Sequence, residues 1–101
     1  MTATARLGDF VVGARPPAEA LARAAGAVLD TVGVTLAGAS ERASRIVQAM
    51  VATEGGDTCS VFGTLDRASA SAAALANGTA AHALDYDDMC FVSLAHPSAP
   101  L

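Results

Sequence analysis

AEALARAAGAVLDTVGVTLA, residues 18–37, is the stretch that decides the fold. Its larger apolar residues recur at spacings of three and four, while Glu19, Arg23 and Asp30 share the opposite face. This periodicity is typical of an amphipathic helix. Two consecutive prolines come directly before it and suit the first turn of a helix. We therefore predict a long helix from Ala18 to about Ala37.

Small residues form a second ridge on this helix, at Ala22, Gly26, Gly33 and Ala37. Because glycine inside a helix costs about 1 kcal/mol relative to alanine, we expect close approach of another helix to compensate. A membrane dimerisation motif is the alternative. The longest weakly polar run, Ala24 to Ala39, is too short to span a bilayer and has Asp30 in its middle. We therefore predict no transmembrane helix and no membrane partner.

Further elements follow on both sides of this helix. On the N-terminal side, residues 7–12 form a short apolar segment that ends at a glycine. On the C-terminal side, Gly38 ends the helix and Ser40 is placed to cap a second one, which two glycines at 55 and 56 stop. Residues 58–62 alternate polar and apolar side chains, which indicates a short extended segment too short to define a sheet.

Asp66 is a candidate N-cap for an alanine-rich helix that runs from Arg67 towards Leu84. The pair Asn77–Gly78 interrupts this run and leaves a hairpin turn as an alternative, although the flanking residues lack strand alternation. The predicted fold is all-α: an alanine-rich helical bundle with one short extended segment, forming a single domain over residues 1–101.

Composition limits the classes of function. Of 101 residues, 25 are alanine and only 4% are aromatic, which favours closely packed helices and a thin core. The net charge is −4, from ten acids and six arginines without lysine, so nucleic acid is not an expected partner. The N-terminus lacks the pattern of an export signal, and we expect a cytoplasmic protein. Cys59 and Cys90 have no metal-type spacing and are expected to be free thiols.

The groups that could carry chemistry are concentrated near the C-terminal end. Both histidines and three of the ten acids fall between His82 and His96. Carboxylates placed this close together repel one another, which raises a pKa when they are partly buried, and histidine already titrates near neutrality. The alternative is structural: the aspartates form a solvated helix end or a cap, and His82 contacts the terminal carbonyls of its helix.

A metal site is a second chemical alternative for the same segment. His82, Asp85, Asp88 and His96 could converge, and all four are possible ligands. Their spacing matches neither a calcium-binding EF-hand loop nor an HExxH zinc motif. We therefore predict no metal.

Three stretches resemble the MmgE/PrpD family: LDTVGVTLAG at residues 29–38, RASASAAALANGTAAHALDYDD at 67–88, and HPS at 96–98. The resemblance covers nearly the whole chain. It implies a carboxylic-acid lyase, a dehydratase or decarboxylase that acts on a short polycarboxylate such as 2-methylcitrate or cis-aconitate, without a redox cofactor. It also implies that Asp85 and His96 are catalytic and that Asp88, His82 and Asn77 support substrate binding.

Two departures from the family pattern bear on the substrate. Met89 and Cys90 follow the aspartates where the family often has a polar residue, and the loop between Asp85 and His96 differs by about one residue from some members. Neither departure changes the two expected catalytic residues.

The chain is also several times shorter than the family's enzymes, and the three aspartates have no nearby cation to hold an anionic substrate. We expect this N-terminal part to be inactive alone, and the missing groups to come from a continuation of the chain or from another subunit of a homo-oligomer. A non-catalytic helical module that dimerises through the small-residue ridge is the alternative.

Overall fold

The computed structural model describes residues 1–100, which form four helices and one short hairpin. The elements in chain order are α1 Ala3–Gly13, α2 Ala18–Gly38, α3 Arg42–Ala52, β1 Cys59–Ser60, β2 Arg67–Ala68 and α4 Ala70–His82. The chain is thus mostly helical, as predicted. It is not purely all-α, because β1 and β2 pair in an antiparallel sheet with Cys59 opposite Ala68 and Ser60 opposite Arg67.

Helix α2 matches the predicted helix and extends it by one residue, to Gly38. On its exposed face, Arg23 and Glu19 form an ion pair of 2.8 Å one helical turn apart. With 21 residues the helix is long and apolar enough to cross a membrane, with a mean hydropathy of 1.4 in its best window, so the predicted shortness of this segment was wrong. Length and composition are weak evidence for that role, since helices of soluble proteins pass the same test.

The close helix crossing lies at Gly38, next to the last residue of the predicted ridge, and not at the glycines within that ridge. A Cβ atom placed on Gly26 or Gly33 would meet no described heavy atom within 4 Å. A Cβ on Gly38 would lie 2.1 Å from the carbonyl oxygen of Ala80 in α4. Thr31, Thr35 and Gly38 are the buried residues of α2, so α2 meets α4 along this face and leaves the Gly26–Gly33 ridge exposed.

The starts of α4, α3 and α1 differ from the prediction, and a side-chain cap explains the start of α4. Helix α4 begins at Ala70 because Ser69, and not Asp66, accepts the N–H of Ala72 at its N-cap. Residues 67 and 68, predicted to be helical, belong to the hairpin. Helix α3 has Glu41 rather than Ser40 at its N-cap, and residues 3–13 form a complete helix with Thr2 as its cap.

Helix α4 is the centre of the packing. It is continuous through Asn77 and Gly78, so the hairpin alternative at this pair is wrong. Five of its alanines are buried, and α2, α3 and the hairpin all pack on it. Small side chains on several faces allow these elements to approach closely, and the core contains Val51, Val61, Ala68, Ala72, Ala73 and Ala76.

Candidate functional site

The site begins where α4 ends. His82 is the last helical residue, and the N–H of Asp85 donates to its carbonyl oxygen at 3.0 Å. Asp85 adopts a left-handed conformation with φ +54°, which a short polar side chain tolerates better than most. The chain therefore turns sharply at Asp85, and Asp87 comes back against the imidazole of His82.

Asp87 is the buried centre of the site, with a side chain that is 0% exposed. Its Oδ1 lies 3.0 Å from Nδ1 of His82 and forms a hydrogen bond with it. Its Oδ2 lies 3.2 Å from Nδ1 of His96. That second contact is misaligned for a hydrogen bond, so the buried Nδ1 of His96 has no hydrogen-bond partner among residues 1–100. One carboxylate thus faces both histidines of the chain.

Asp85 and His96 also meet, on the more open side of the site. Oδ1 of Asp85 lies 3.6 Å from Nε2 of His96, and the Asp85 side chain is 77% exposed. The rings of His82 and His96 pack edge to face, with centroids 4.5 Å apart. The two residues predicted to be catalytic are therefore neighbours, with side chains that are 77% exposed for Asp85 and 27% exposed for His96.

The electrostatics of the site favour a protonated histidine. The hydrogen bond that His82 donates to Asp87 raises the pKa of His82, and the negative charge of Asp87 raises it further. Burial opposes these effects, and the charge of Asp85 adds the smallest contribution. The His82 side chain is half exposed, so solvent screens these interactions. The arrangement is an acid–base cluster in which a proton is readily held between imidazole and carboxylate.

Asp88 lies next to this cluster but faces away from it. Its Oδ1 accepts the N–H of Ser98 at 3.0 Å, and its Oδ2 accepts the hydroxyl of Ser98 at 2.7 Å. The N–H of Cys90 donates to the carbonyl oxygen of Ala95 at 2.8 Å within the same loop. These bonds close the loop that carries His96, which gives Asp88 a structural task; its predicted contact with substrate stays a prediction.

Asn77 also lies away from the histidines, on α4 beside the hairpin. Its Oδ1 accepts the N–H of Phe62 at 2.9 Å, and its Nδ2 donates to the carbonyl oxygen of Ser60 at 3.1 Å. Both ends of the amide are thereby used to hold β1 and the residues after it against α4. The predicted substrate contact of Asn77 is likewise untested.

Asp87 is the residue that the sequence did not single out. The family resemblance pointed to Asp85 and Asp88, and the spacing of the three aspartates gave no reason to prefer Asp87, because their directions depend on the backbone at Asp85. The available signal was the spacing of five residues between His82 and Asp87, which becomes informative only once the helix is known to end at His82.

His82, Asp85, Asp87 and His96 could together hold a metal ion. Each offers one ligand atom, and these four atoms lie within 4.8 Å of one another. The set differs from the one considered from the sequence, since Asp87 takes the place of Asp88.

Two surface clefts lie outside this cluster. The larger, of about 660 Å³, runs between α2 and α4 and is mostly apolar, with Val28, Thr35, Phe62 and Ala81 among its lining residues. The smaller, of about 440 Å³, lies between the C-terminal end of α2 and α3 and includes Arg45 and Asp66. None of the four cluster residues lines either cleft.

Comparison with known families agrees with the sequence resemblance. The family model for the MmgE/PrpD N-terminal domain matches residues 5–101. Comparisons with curated proteins and with solved structures give no match. Because the family model covers nearly the whole chain, this protein belongs to the MmgE/PrpD family and carries its N-terminal domain.

Proposed function

We propose that this chain supplies the aspartate–histidine part of the active site of a carboxylic-acid lyase. The MmgE/PrpD family is associated with dehydratases and lyases in general. The finer proposal is elimination of water or carbon dioxide from a short polycarboxylate such as 2-methylcitrate or cis-aconitate. The observation that carries it is the convergence of Asp85, Asp87 and both histidines at the end of α4.

His96 is the proposed proton carrier. Its Nδ1 lies 3.2 Å from Oδ2 of the buried Asp87, and its Nε2 lies 3.6 Å from Oδ1 of the exposed Asp85. Removing a proton next to a carboxylate requires such a positioned base, and expelling hydroxide or protonating the resulting carbanion requires an acid. Asp85 orients the imidazole or binds a substrate hydroxyl.

Charge supports the proposal that other groups complete the site. No arginine or lysine follows Arg67 in the sequence. The guanidinium of Arg67 is itself engaged, donating to the carbonyl oxygens of Asp57 and Thr58. Since a polycarboxylate needs cationic partners, we infer that a continuation of this chain or a second subunit provides them. The isolated chain is then inactive. We also propose a cytoplasmic location, no nucleic-acid or membrane partner, and no redox cofactor.

A chimera tests this function. Residues 5–101 would replace the matching segment of an active 2-methylcitrate dehydratase of the family, and turnover of 2-methylcitrate and cis-aconitate would be measured. We expect turnover that falls about 10²–10⁴-fold in Asp85→Asn and His96→Gln. The control is Asp30→Asn, which changes an exposed carboxylate on α2 and leaves turnover unchanged.

Two results would contradict the proposal. One is a folded, active chimera whose turnover survives both site substitutions. The other is turnover by the isolated chain at the rate of an intact enzyme, because that would show that the site needs no further groups.

A further inference from the structure

We propose that His82, Asp85, Asp87 and His96 form a binding site for a divalent transition-metal cation of the zinc class. The inference goes beyond the lyase function and does not rest on it. It requires only that the four side chains bind a cation, whichever reaction the complete protein catalyses.

Charge is the first argument. The four side chains bring two carboxylates and two imidazoles, and residues 68–101 contain no arginine or lysine that could balance the aspartates. A fully buried carboxylate such as Asp87 is costly without a positive partner. A proton on His82 provides one positive charge. A divalent cation provides two, and makes the sum of the four side chains and the ion neutral.

Geometry is the second argument. Zinc bound to nitrogen and oxygen at 2.0–2.2 Å places tetrahedral ligand atoms about 3.4 Å apart. The four ligand atoms lie within 4.8 Å of one another, and a single oxygen of Asp87, Oδ2, already lies 3.3 Å from Nδ1 of His82 and 3.2 Å from Nδ1 of His96. The other distances between ligand atoms would shorten mainly by movement of Asp85 and His82, whose side chains are 77% and 52% exposed.

His96 offers a third argument. Its Nδ1 is fully buried and lies 3.2 Å from Oδ2 of Asp87, but it has no hydrogen-bond partner among the described residues. Buried polar atoms in folded proteins almost always have a partner, so an unpaired one suggests that a group is bound there. A cation held between Asp87 and His96 would provide it.

The ligand set selects the class of metal. Imidazole favours zinc, copper, nickel and iron, whereas magnesium and calcium prefer sites made of oxygen alone. Two imidazoles with two carboxylates therefore favour a zinc-class ion. Bound metal would also hold Asp85 and His96, the two residues to which we assign proton transfer, and so would inhibit that reaction.

Zinc binding by the full 101-residue chain tests the site directly, without substrate. Isothermal titration with Zn²⁺ alone should give one ion per chain and a rise in melting temperature. His82→Gln and Asp85→Asn should each weaken binding at least about tenfold. Both changes are at exposed residues, and asparagine tolerates the left-handed backbone of residue 85. Asp30→Asn is the matched control and should bind as the parent chain does.

Cobalt distinguishes this site from one made by the cysteines. Co²⁺ added to the chain should give a spectrum without a thiolate-to-cobalt charge-transfer band, because neither Cys59 nor Cys90 belongs to the four ligands. The proposal is overturned by any of three results: no binding of Zn²⁺, binding that both folded site variants retain in full, or a thiolate band. None of these results bears on the chimera, so the two proposals fail separately.

Discussion

Asp88 holds Ser98 with both oxygens of its carboxylate, one on the backbone N–H at 3.0 Å and one on the hydroxyl at 2.7 Å. Ser98 is buried and lies two residues after His96. The neighbouring residue, Asp87, faces the two histidines from the inside. Two adjacent aspartates thus have different tasks: Asp88 fixes the loop, and Asp87 contacts the rings that the loop brings together.

Asp88→Ala should therefore release the loop without removing any member of the cluster. We expect the free energy of unfolding to fall by about 1–2 kcal/mol, since two hydrogen bonds to a charged group are lost at a partly exposed site. In NMR spectra, the ring protons of His82 and His96 should lose their mutual shielding. Asp57→Ala, at an exposed carboxylate, is the control; histidine signals unchanged by Asp88→Ala would show that Ser98 does not position His96.

Stability should depend on pH through His82. Its pKa is raised in the folded chain by the hydrogen bond with Asp87, so folding takes up protons there. The stabilisation is fully present below the ordinary histidine pKa of about 6.5 and is lost as the pH rises through the higher folded value. The difference in melting temperature between the parent chain and His82→Gln should thus be larger at pH 5.5 than at pH 8.5. An equal difference at both pH values would contradict this assignment.

The thiol of Cys90 gives a second pH-dependent prediction. Hydrogen bonds from the Ser93 side chain, and then from the backbone N–H groups of Ser93 and Val92, lower the pKa of Cys90. In a Cys59→Ser background, the pH midpoint for alkylation of Cys90 should lie below the ordinary thiol value and rise in Ser93→Ala. If Ser93→Ala leaves the midpoint in place, the side-chain hydrogen bond is not the main cause.

Periodicity in the sequence was enough to predict α2. Both of its signals, the apolar residues at spacings of three and four and the two prolines before Ala18, are local in the sequence. The hairpin was missed because its strands are defined by their pairing with each other and not by a local pattern. β1 is only two residues long, and its partner, β2, lay inside an alanine-rich run that reads as helix until Ser69 is recognised as the cap. Ser69 was overlooked because Asp66, three residues earlier, is an equally suitable capping residue by type.

In the candidate site as well, the residue types could be predicted from the sequence, but the contacts between them could not. The concentration of histidine and aspartate was visible in the sequence, and the resemblance singled out Asp85 and His96. Which aspartate faces which histidine depends on the turn at Asp85 and on the bonds between Asp88 and Ser98. The Asp88–Ser98 bonds join residues ten positions apart, and the residue type at position 85 permits the left-handed turn without requiring it. The spacing of His82 and Asp87 was therefore not enough to choose Asp87.

Asn77 should be a stability determinant, whatever its part in substrate binding. Its amide joins α4 to the backbone of Ser60 and Phe62. Asn77→Ala should lower the free energy of unfolding by about 1–3 kcal/mol, because two backbone groups lose their partner. Thr79→Ala is the control, since Thr79 is on the same helix and its hydroxyl bonds only within it, to Leu75. Equal effects in the two variants, measured by urea unfolding, would count against this role.

Glycines on α2 provide a matched pair that tests the helix crossing. A Cβ on Gly38 would overlap the carbonyl oxygen of Ala80, so Gly38→Ala requires α2 and α4 to separate. Overpacking of this kind costs about 1–3 kcal/mol.

Gly26→Ala is the counterpart, in the middle of the same helix with open space around it. It should leave stability unchanged or raise it by up to about 1 kcal/mol, because alanine is the better helix former. Urea unfolding of both variants measures the difference. Loss of stability in Gly26→Ala would indicate that another surface covers the exposed ridge, as in a dimer, and sizing at several concentrations would then show association that weakens in this variant.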